Sequence, residues 1–266
     1  MITSLSNPRM VEIRKLLDAK HRKQSGLFLA EGLKAVGQAL DSQADLKTDG
    51  YADSELISGY GREVLDAFRQ KNNVEIIEVS AEVFNSLARK DKPQGIAAVI
   101  RQQWVELQNL STARSGIFVA VDSIQNPGNL GTIMRTCDAV GASGLILLNN
   151  STDPYDPVSV KASMGSVFTV PLVKSDSAKF LDWAKTNSLP IIGTSDKAQQ
   201  SCFTFDYPDP CLILMGSERE GLPTTLISAA ADMVSIPMGG TADSLNISVA
   251  TGIILYQTYL SHKGKN

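Results

Sequence analysis

From Ile117 onward the chain alternates short, almost uninterrupted apolar runs with segments whose apolar residues recur at helical spacing. The runs predict strands at Ile117–Val121, Leu145–Asn149, Val167–Val173, Pro190–Gly193, Cys211–Met215 and Val234–Pro237. Between them, helices are predicted over Leu130–Val140, Pro157–Met164, Ala178–Thr186, Thr224–Ala230 and Ser244–Ser261. Runs without polar alternation are what strands buried on both faces of a parallel sheet look like. Their regular succession with helices predicts an α/β domain built on such a sheet.

The first hundred residues read as a smaller α/β unit. Asn7-Pro8 can cap and start a helix over Met10, Ile13, Leu16 and Leu17. Gly26–Ala30 reads as a short strand, and Leu33, Val36 and Leu40 give a second helical face. Further strands are predicted near Glu55–Ser58 and Val74–Val79, helices near Arg62–Gln70 and Ala81–Ala88, and a closing buried strand at Gly95–Arg101. Arg89-Lys90-Asp91-Lys92-Pro93 is a charged, Pro-terminated loop, and residues 102–115 read as a linker.

Composition narrows the chemistry. Two histidines, His21 and His262, lie near the chain ends, which argues against a Ser-His-Asp hydrolase or a His-ligated metal enzyme. Cys137, Cys202 and Cys211 are scattered, as expected for a reducing cytoplasm and no zinc site. The opening residues carry no signal-peptide core, and no apolar run is long enough to span a membrane. Residues 1–25 hold six Lys/Arg against Glu12 and Asp18, a local +4 in a chain of net −3, which leaves the remainder at −7. Two readings stand for that arm: a basic contact surface for nucleic acid, or a solvated helix face.

Three loops at predicted strand ends hold unusual residues, and α/β sheets bind ligands there. In Asp122–Arg135, DSIQNPGNLGTIMR, a tight Asn126–Asn129 turn enters a helix. Arg135 is expected on that helix's second turn, able to reach a phosphate or carboxylate. Gly216–Pro223, GSEREGLP, places Glu218 near a strand end. Val234–Leu260 runs from a strand through Met238-Gly239-Gly240-Thr241 into a helix expected to open at Asp243/Ser244. Its first turn holds Ser244, Asn246 and Ser248, more polar side chains than one cap needs. There is no G-x-G-x-x-G after the first strand of this half and no Walker A sequence, which disfavours an ordinary dinucleotide-binding oxidoreductase and a P-loop NTPase.

Together these loops resemble the SpoU (TrmH-like) family of RNA 2′-O-ribose methyltransferases, of the SPOUT superfamily. The resemblance is carried by NPGNLGTIMR (Asn126–Arg135), GSEREGL (Gly216–Leu222) and IPM-x5-SLNISVA (Ile236–Ala250), in order along residues 115–260. The segments SNPRMVEIRKLL, KHRKQSGLFLAEG and KPQGIAAV resemble, more loosely, the substrate-binding domain often fused to this family. The resemblance implies a small L30e-like domain over residues 1–104 and a catalytic, dimerising domain over 115–264 whose parallel sheet carries a deep trefoil knot. It implies S-adenosylmethionine as methyl donor, no metal, a homodimer and an RNA substrate, with 23S rRNA favoured over tRNA. Carried onto this chain, donor-binding positions fall on Gly216, Ile236 and Leu245, with Met215 and Met238 beside them. Catalytic and RNA-contacting positions fall on Asn129, Arg135, Glu218, Ser244 and Asn246. A non-catalytic RNA-binding or ribosome-assembly factor of the same fold would be expected to lose Arg135 or the Ser244/Asn246 pair, and this chain keeps them.

Overall fold

The computed structural model describes residues 1–56, 58–71, 74–87, 93–112 and 116–264. The chain forms two compact units, Met1–Gln103 with Asp153–Thr169, and Trp104–Thr152 with Val170–Asn266.

The first unit carries helices α1 (Pro8–Lys15), α2 (Ala19–Ser25), α3 (Leu33–Asp41), α4 (Gly59–Arg69) and α5 (Ala81–Asn85). Its strands are β1 (Leu27–Glu31), β2 (Leu46–Tyr51), β3 (Glu75–Glu78) and β4 (Ile96–Arg101), in the order β1-β4-β2-β3. β4 runs antiparallel to both neighbours, and β3 runs parallel to β2. Asn7 caps α1 as expected, its side chain accepting from the Arg9 and Met10 amides. α1 and α5 cover one sheet face through Met10, Ile13, Val83 and Phe84, packed on Leu29, Ile77 and Val99.

The strand expected near Glu55–Ser58 does not form. Glu55, Leu56 and Ser58 lie outside any strand, Ile57 being outside the described residues. The strand is instead β2, whose LKTDGY sequence holds Lys, Asp and Gly, all poor strand formers. Its place between β4 and β3 supplies hydrogen bonds on both edges, and that tertiary pairing overrides propensity. Leu56 is drawn instead into a turn, its amide donating to Ala52 and Asp53 carbonyls. Gly95, at φ +70°, lets β4 approach this turn: a Cβ there would lie 2.6 Å from the Glu55 carbonyl carbon.

Residues 153–169 follow the first strands of the second half yet pack with the first unit. They carry α7 (Pro157–Ser163) and a 3₁₀ turn at Ser166–Phe168. Phe28 of β1 holds them through ring contacts with Tyr155 at 4.7 Å and Phe168 at 6.0 Å. Arg22 holds them electrostatically, donating to Asp153 at 2.7 Å and Asp156 at 3.1 Å. Its Nη1 donates to the Leu16 and Leu17 carbonyls, both at 3.0 Å. The Val167–Val173 run is therefore not one strand: its first half is the 3₁₀ turn, and the strand starts at Leu172. An apolar run shows burial but not the partner that buries it.

Of the six Lys/Arg of the basic arm, Arg9, Lys15, Lys20 and Lys23 are exposed, Arg14 is half-buried and Arg22 is buried. Arg22 is 1% exposed, Arg9 pairs with Glu75, Lys15 pairs with Glu12, and Arg14 donates to Ser86 and the Leu5 carbonyl. The 89–92 part of the charged loop lies outside the described residues.

The second unit is a seven-stranded, wholly parallel sheet of order β7-β6-β5-β10-β8-β11-β9. Its strands are β5 (Ile117–Asp122), β6 (Gly144–Leu148), β7 (Leu172–Ser175), β8 (Ile191–Thr194), β9 (Gln200–Ser201), β10 (Cys211–Met215) and β11 (Asp232–Ser235). β5, β6 and β10 are buried at every position, matching the runs read from sequence. β9 has only two polar residues and gives no sequence signal. Helices α6 (Pro127–Ala139), α8 (Ser177–Thr186), α9 (Thr224–Ala229) and α10 (Ile247–Lys263) flank the sheet, α10 packing on α6. Phe118 meets Trp183 edge-on at 5.6 Å in the core between the sheet and α8. Among the described residues no helix is long and apolar enough to cross a membrane.

Removing Arg22 leaves two carboxylates facing each other with their counter-charge gone. Because Asp153 and Asp156 keep about a quarter of their side-chain exposure, Arg22→Met is expected to cost about 3 kcal/mol in urea unfolding, the low end for a broken buried pair. A loss under about 1 kcal/mol would mark the pair as no stronger than a surface ion pair.

Candidate active site

Three loops of the second unit meet at the C-terminal ends of β5, β10 and β11. Parallel pairing of β5 with β10, ending at Met215↔Val121, places the first two loops side by side. After β5, Asn126 caps α6, its Oδ1 accepting from the Gly128 amide at 2.8 Å and the Asn129 amide at 3.1 Å. Pro127 at the first helical position loses no hydrogen bond, since that amide would be unsatisfied in any case. α6 thus starts earlier than expected from its apolar spacing, and Arg135 falls on its third turn rather than its second.

After β10 the chain closes a tight loop in which Ser217 and Gly221 exchange both backbone hydrogen bonds, at 3.0 and 3.1 Å. Gly216 is required there, because a Cβ would lie 2.3 Å from the Gly221 carbonyl carbon. The closure presents Glu218 at the exposed tip. After β11, residues 236–246 run as an irregular loop into α10. The helix opens at Ile247 with Asn246 as its cap, three residues later than predicted from sequence. The excess of polar residues is thereby explained: Asn246 Oδ1 accepts from the Ser248 amide and hydroxyl, at 2.9 and 2.7 Å, while Ser244 stands before the helix.

The three loops are joined by side-chain hydrogen bonds. Asn246 Nδ2 donates to Asn129 Oδ1 at 3.1 Å, and Asn129 Nδ2 donates to Glu218 Oε1 at 3.2 Å. The second carboxylate oxygen, Oε2, accepts from the Gln125 amide at 3.4 Å. Asn246 can serve both roles because its amide carries an acceptor and donors on one side chain. The structure therefore brings together Asn129, Glu218 and Asn246. Arg135 and Ser244 are exposed and take no part in these bonds. Gln125 is a member of the network that sequence reasoning passes over, since nothing in its type or spacing distinguishes it.

Neither histidine belongs to this cluster. His21 lies on α2, and His262 at the end of α10 faces the Pro208 carbonyl at 2.8 Å. Cys137 packs on the buried side of α6, where burial pushes its thiol well above the ordinary range. Among the described residues no cluster of three His, Cys, Asp or Glu side chains could hold a metal ion.

The loop after β11 has the chemistry to hold a planar, hydrogen-bonding ligand. Ile236 and Leu245 are half-buried, Met238 is exposed, and Met215 is buried at the end of β10. Among the described residues, 236–245 make no backbone–backbone hydrogen bond. Apolar side chains beside free backbone donors and acceptors are what a purine ring requires.

The sequence profile of the SpoU rRNA Methylase family matches residues 116–256, and that of the MRM3-like substrate binding domain matches residues 7–98. The chain is 31% identical to a 23S rRNA (uridine(2479)-2′-O)-methyltransferase of Streptomyces viridochromogenes, over 94% of this chain and 89% of the relative. It is 27% identical to the 23S rRNA (guanosine(2553)-2′-O)-methyltransferase RlmP of Bacillus subtilis, over 96% and 97%. Among solved structures, an AdoMet-bound rRNA methyltransferase of Sinorhizobium meliloti superposes with a TM-score of 0.88 at 36% identity, covering 97% of this chain and 96% of that one.

The double duty of Asn246 separates by substitution. Asn246→Asp keeps the cap and removes the donor to Asn129, so its unfolding free energy should stay within a few tenths of a kcal/mol of wild type, whereas Asn246→Ala should lose about 1 kcal/mol. Equal losses in urea titrations of the two variants would show that Asn246 does not cap α10 through its side chain.

Proposed function

The chain belongs to the SpoU rRNA methylase family, and from that premise we propose that it transfers the methyl group of S-adenosylmethionine to a ribose 2′-hydroxyl of 23S rRNA. The observation that carries this reading is the hydrogen-bonded chain Asn246–Asn129–Glu218, which draws the three family motifs to one edge of the sheet. The choice of 23S rRNA over tRNA is supported by relatives of nearly the same length whose names specify that RNA. The first unit is read as the RNA substrate-binding domain, supported by the MRM3-like match.

The residues present fit the donor. Ile236 and Leu245, with Met238 and Met215 nearby, would wall its adenine, and backbone groups around Gly216 and the 236–245 loop would meet the ring's polar edge. When bound, the donor supplies a methyl already activated by its sulfonium charge, so the transfer is read as needing no metal. The chain's own task lies with the acceptor. A 2′-hydroxyl is a poor nucleophile near neutral pH, and its proton must leave as the oxygen attacks the methyl carbon in line. With no histidine in the cluster, Arg135 is the catalytic cation. A guanidinium keeps its charge at any working pH, so its role is to stabilise the developing alkoxide and the adjoining phosphate while a phosphate oxygen or water takes the proton. Asn129, Glu218 and Asn246 form the polar floor that orients the ribose, with Ser244 at its edge.

A homodimer is part of the same reading. The apolar series Val249, Ile253, Tyr256 and Leu260 is not the face of α10 that packs on its own sheet; Ile247, Thr251, Ile254, Leu255 and Thr258 are buried there instead. Val249, Tyr256 and Leu260 remain 51, 47 and 56% exposed, a stripe that a second copy would cover. The trefoil knot also belongs to this reading: β10 lies between β5 and β8, and α10 returns to pack on α6, which supports a threaded chain. A cytoplasmic setting is supported by three buried cysteines, none of them in a disulfide.

Labelled S-adenosylmethionine incubated with rRNA and tRNA fractions from a strain lacking the gene is expected to label 23S rRNA at one site resistant to alkaline cleavage. Label confined to tRNA would overturn the substrate assignment and keep the chemistry. Arg135→Ala should lower turnover by at least about a hundredfold, the scale of a lost transition-state contact, with donor affinity in calorimetry within about twofold. Tyr256→Glu should shift the particle to monomer mass in light scattering; an unchanged dimer would place the interface elsewhere.

A further inference from the structure

The Glu218 carboxylate takes one donor on each oxygen, the Asn129 side chain on Oε1 and the Gln125 amide on Oε2. Its orientation therefore depends on where the 123–126 loop holds the Gln125 backbone. That loop departs from β5 through Ser123 at φ +52°, a left-handed conformation that a non-glycine residue keeps only when its surroundings enforce it. The next strand leaves through a residue in the same state, Asn149 at φ +53°. The Gln125 side chain ties the two turns together, its Nε2 lying 2.8 Å from the Ser123 carbonyl and 3.0 Å from the Asn150 carbonyl. Both neighbours are acceptors, so the amide nitrogen must face them, and both of its hydrogens are engaged. Backbone bonds from Ser123 to the Leu148 carbonyl, at 3.3 Å, and from Thr152 to the Ile124 carbonyl, at 2.7 Å, flank this tie. Asn149 extends it, donating to the buried Asp122 carboxylate at 2.5 Å and to Ser177 Oγ at 2.8 Å.

We propose that Gln125 is a positioning residue of the active site: its side chain braces the 123–126 loop against the loop after β6, and the braced loop holds Glu218 toward Asn129. The proposal rests on the methyl-transfer reading above. It assigns no contact with substrate to Gln125; the effect passes through Glu218 and then Asn129 to Asn246.

The test measures methyl transfer, donor affinity and thermal midpoint for wild type, Gln125→Ala, Gln125→Glu, Glu218→Gln and the double variant Gln125→Ala/Glu218→Gln. Gln125→Glu keeps the shape and removes both donors, so it separates hydrogen bonding from packing. Both Gln125 variants are expected to lower kcat by about ten- to a hundredfold, the scale of a misplaced reacting geometry, with donor Kd and the midpoint near wild type. The double variant should be no slower than Glu218→Gln, because the two residues act along one path. Additive losses, a wild-type kcat in Gln125→Glu, or a fall in donor affinity and midpoint matching the fall in rate would each overturn the proposal. An inactive wild type would refute the methyl-transfer reading and this role with it; an active wild type with normal Gln125 variants would refute this role alone.

Discussion

Pairing of β5 with β10 fixes everything the second unit does. The two strands match residue for residue from Cys211↔Ile117 to Met215↔Val121, and every side chain on both is buried. A slip of one residue would reverse which side chains face which helix layer, so burial on both faces holds the register tightly. The register in turn sets where Gly216 and Ser123 leave the sheet, and hence the reach from Glu218 to Asn129. Strand pairing buried in the core thus determines a hydrogen bond at the exposed edge.

The edge itself is made of groups that must be held by one another. Asn246, Asn129, Glu218 and Gln125 come from three loops, and none is deeply buried. Exposed hydrogen bonds contribute little to stability, about 1 kcal/mol or less each. Their value lies in orientation: Asn246 and Asn129 each commit one donor and one acceptor, Glu218 accepts on both oxygens and the Gln125 side chain donates twice, which limits the rotamers left to the next. The helix caps take part in the same economy of atoms. Asn126 and Asn246 end loops and start helices with their Oδ1 atoms, and Asn246 keeps its amide nitrogen for the neighbouring loop.

The first unit uses its charge differently from what a count of Lys and Arg indicates. Arg22 is buried among two aspartates and two carbonyls, and the aspartates come from a segment more than a hundred residues away. Together with the Phe28, Tyr155 and Phe168 rings, it fixes residues 153–169 within this unit. Arg22 is the buried, structural member of the arm, while Arg9, Lys15, Lys20 and Lys23 stay exposed; the case for RNA as substrate stands on the family.

The sequence by itself determined the parallel sheet, because strands buried on both faces must be written as continuous apolar runs. It also marked the three loops, since a Pro after an Asn cap, a Gly where a Cβ would strike backbone, and a Gly-rich approach to a helix are demanded locally. What it could not determine was set by partners distant in the chain. β2 is a strand only because β3 and β4 flank it, and residues 166–168 form a turn only because Phe28 and its neighbours receive them. The apolar stripe on α10 was legible, but which face the sheet would bury was not, since both faces carry apolar residues. Asn129, Glu218 and Asn246 were each legible as candidates, whereas Gln125 and the order of the hydrogen bonds were not. A hydrogen bond between side chains depends on distances of a few tenths of an ångström, and only the folded sheet sets those.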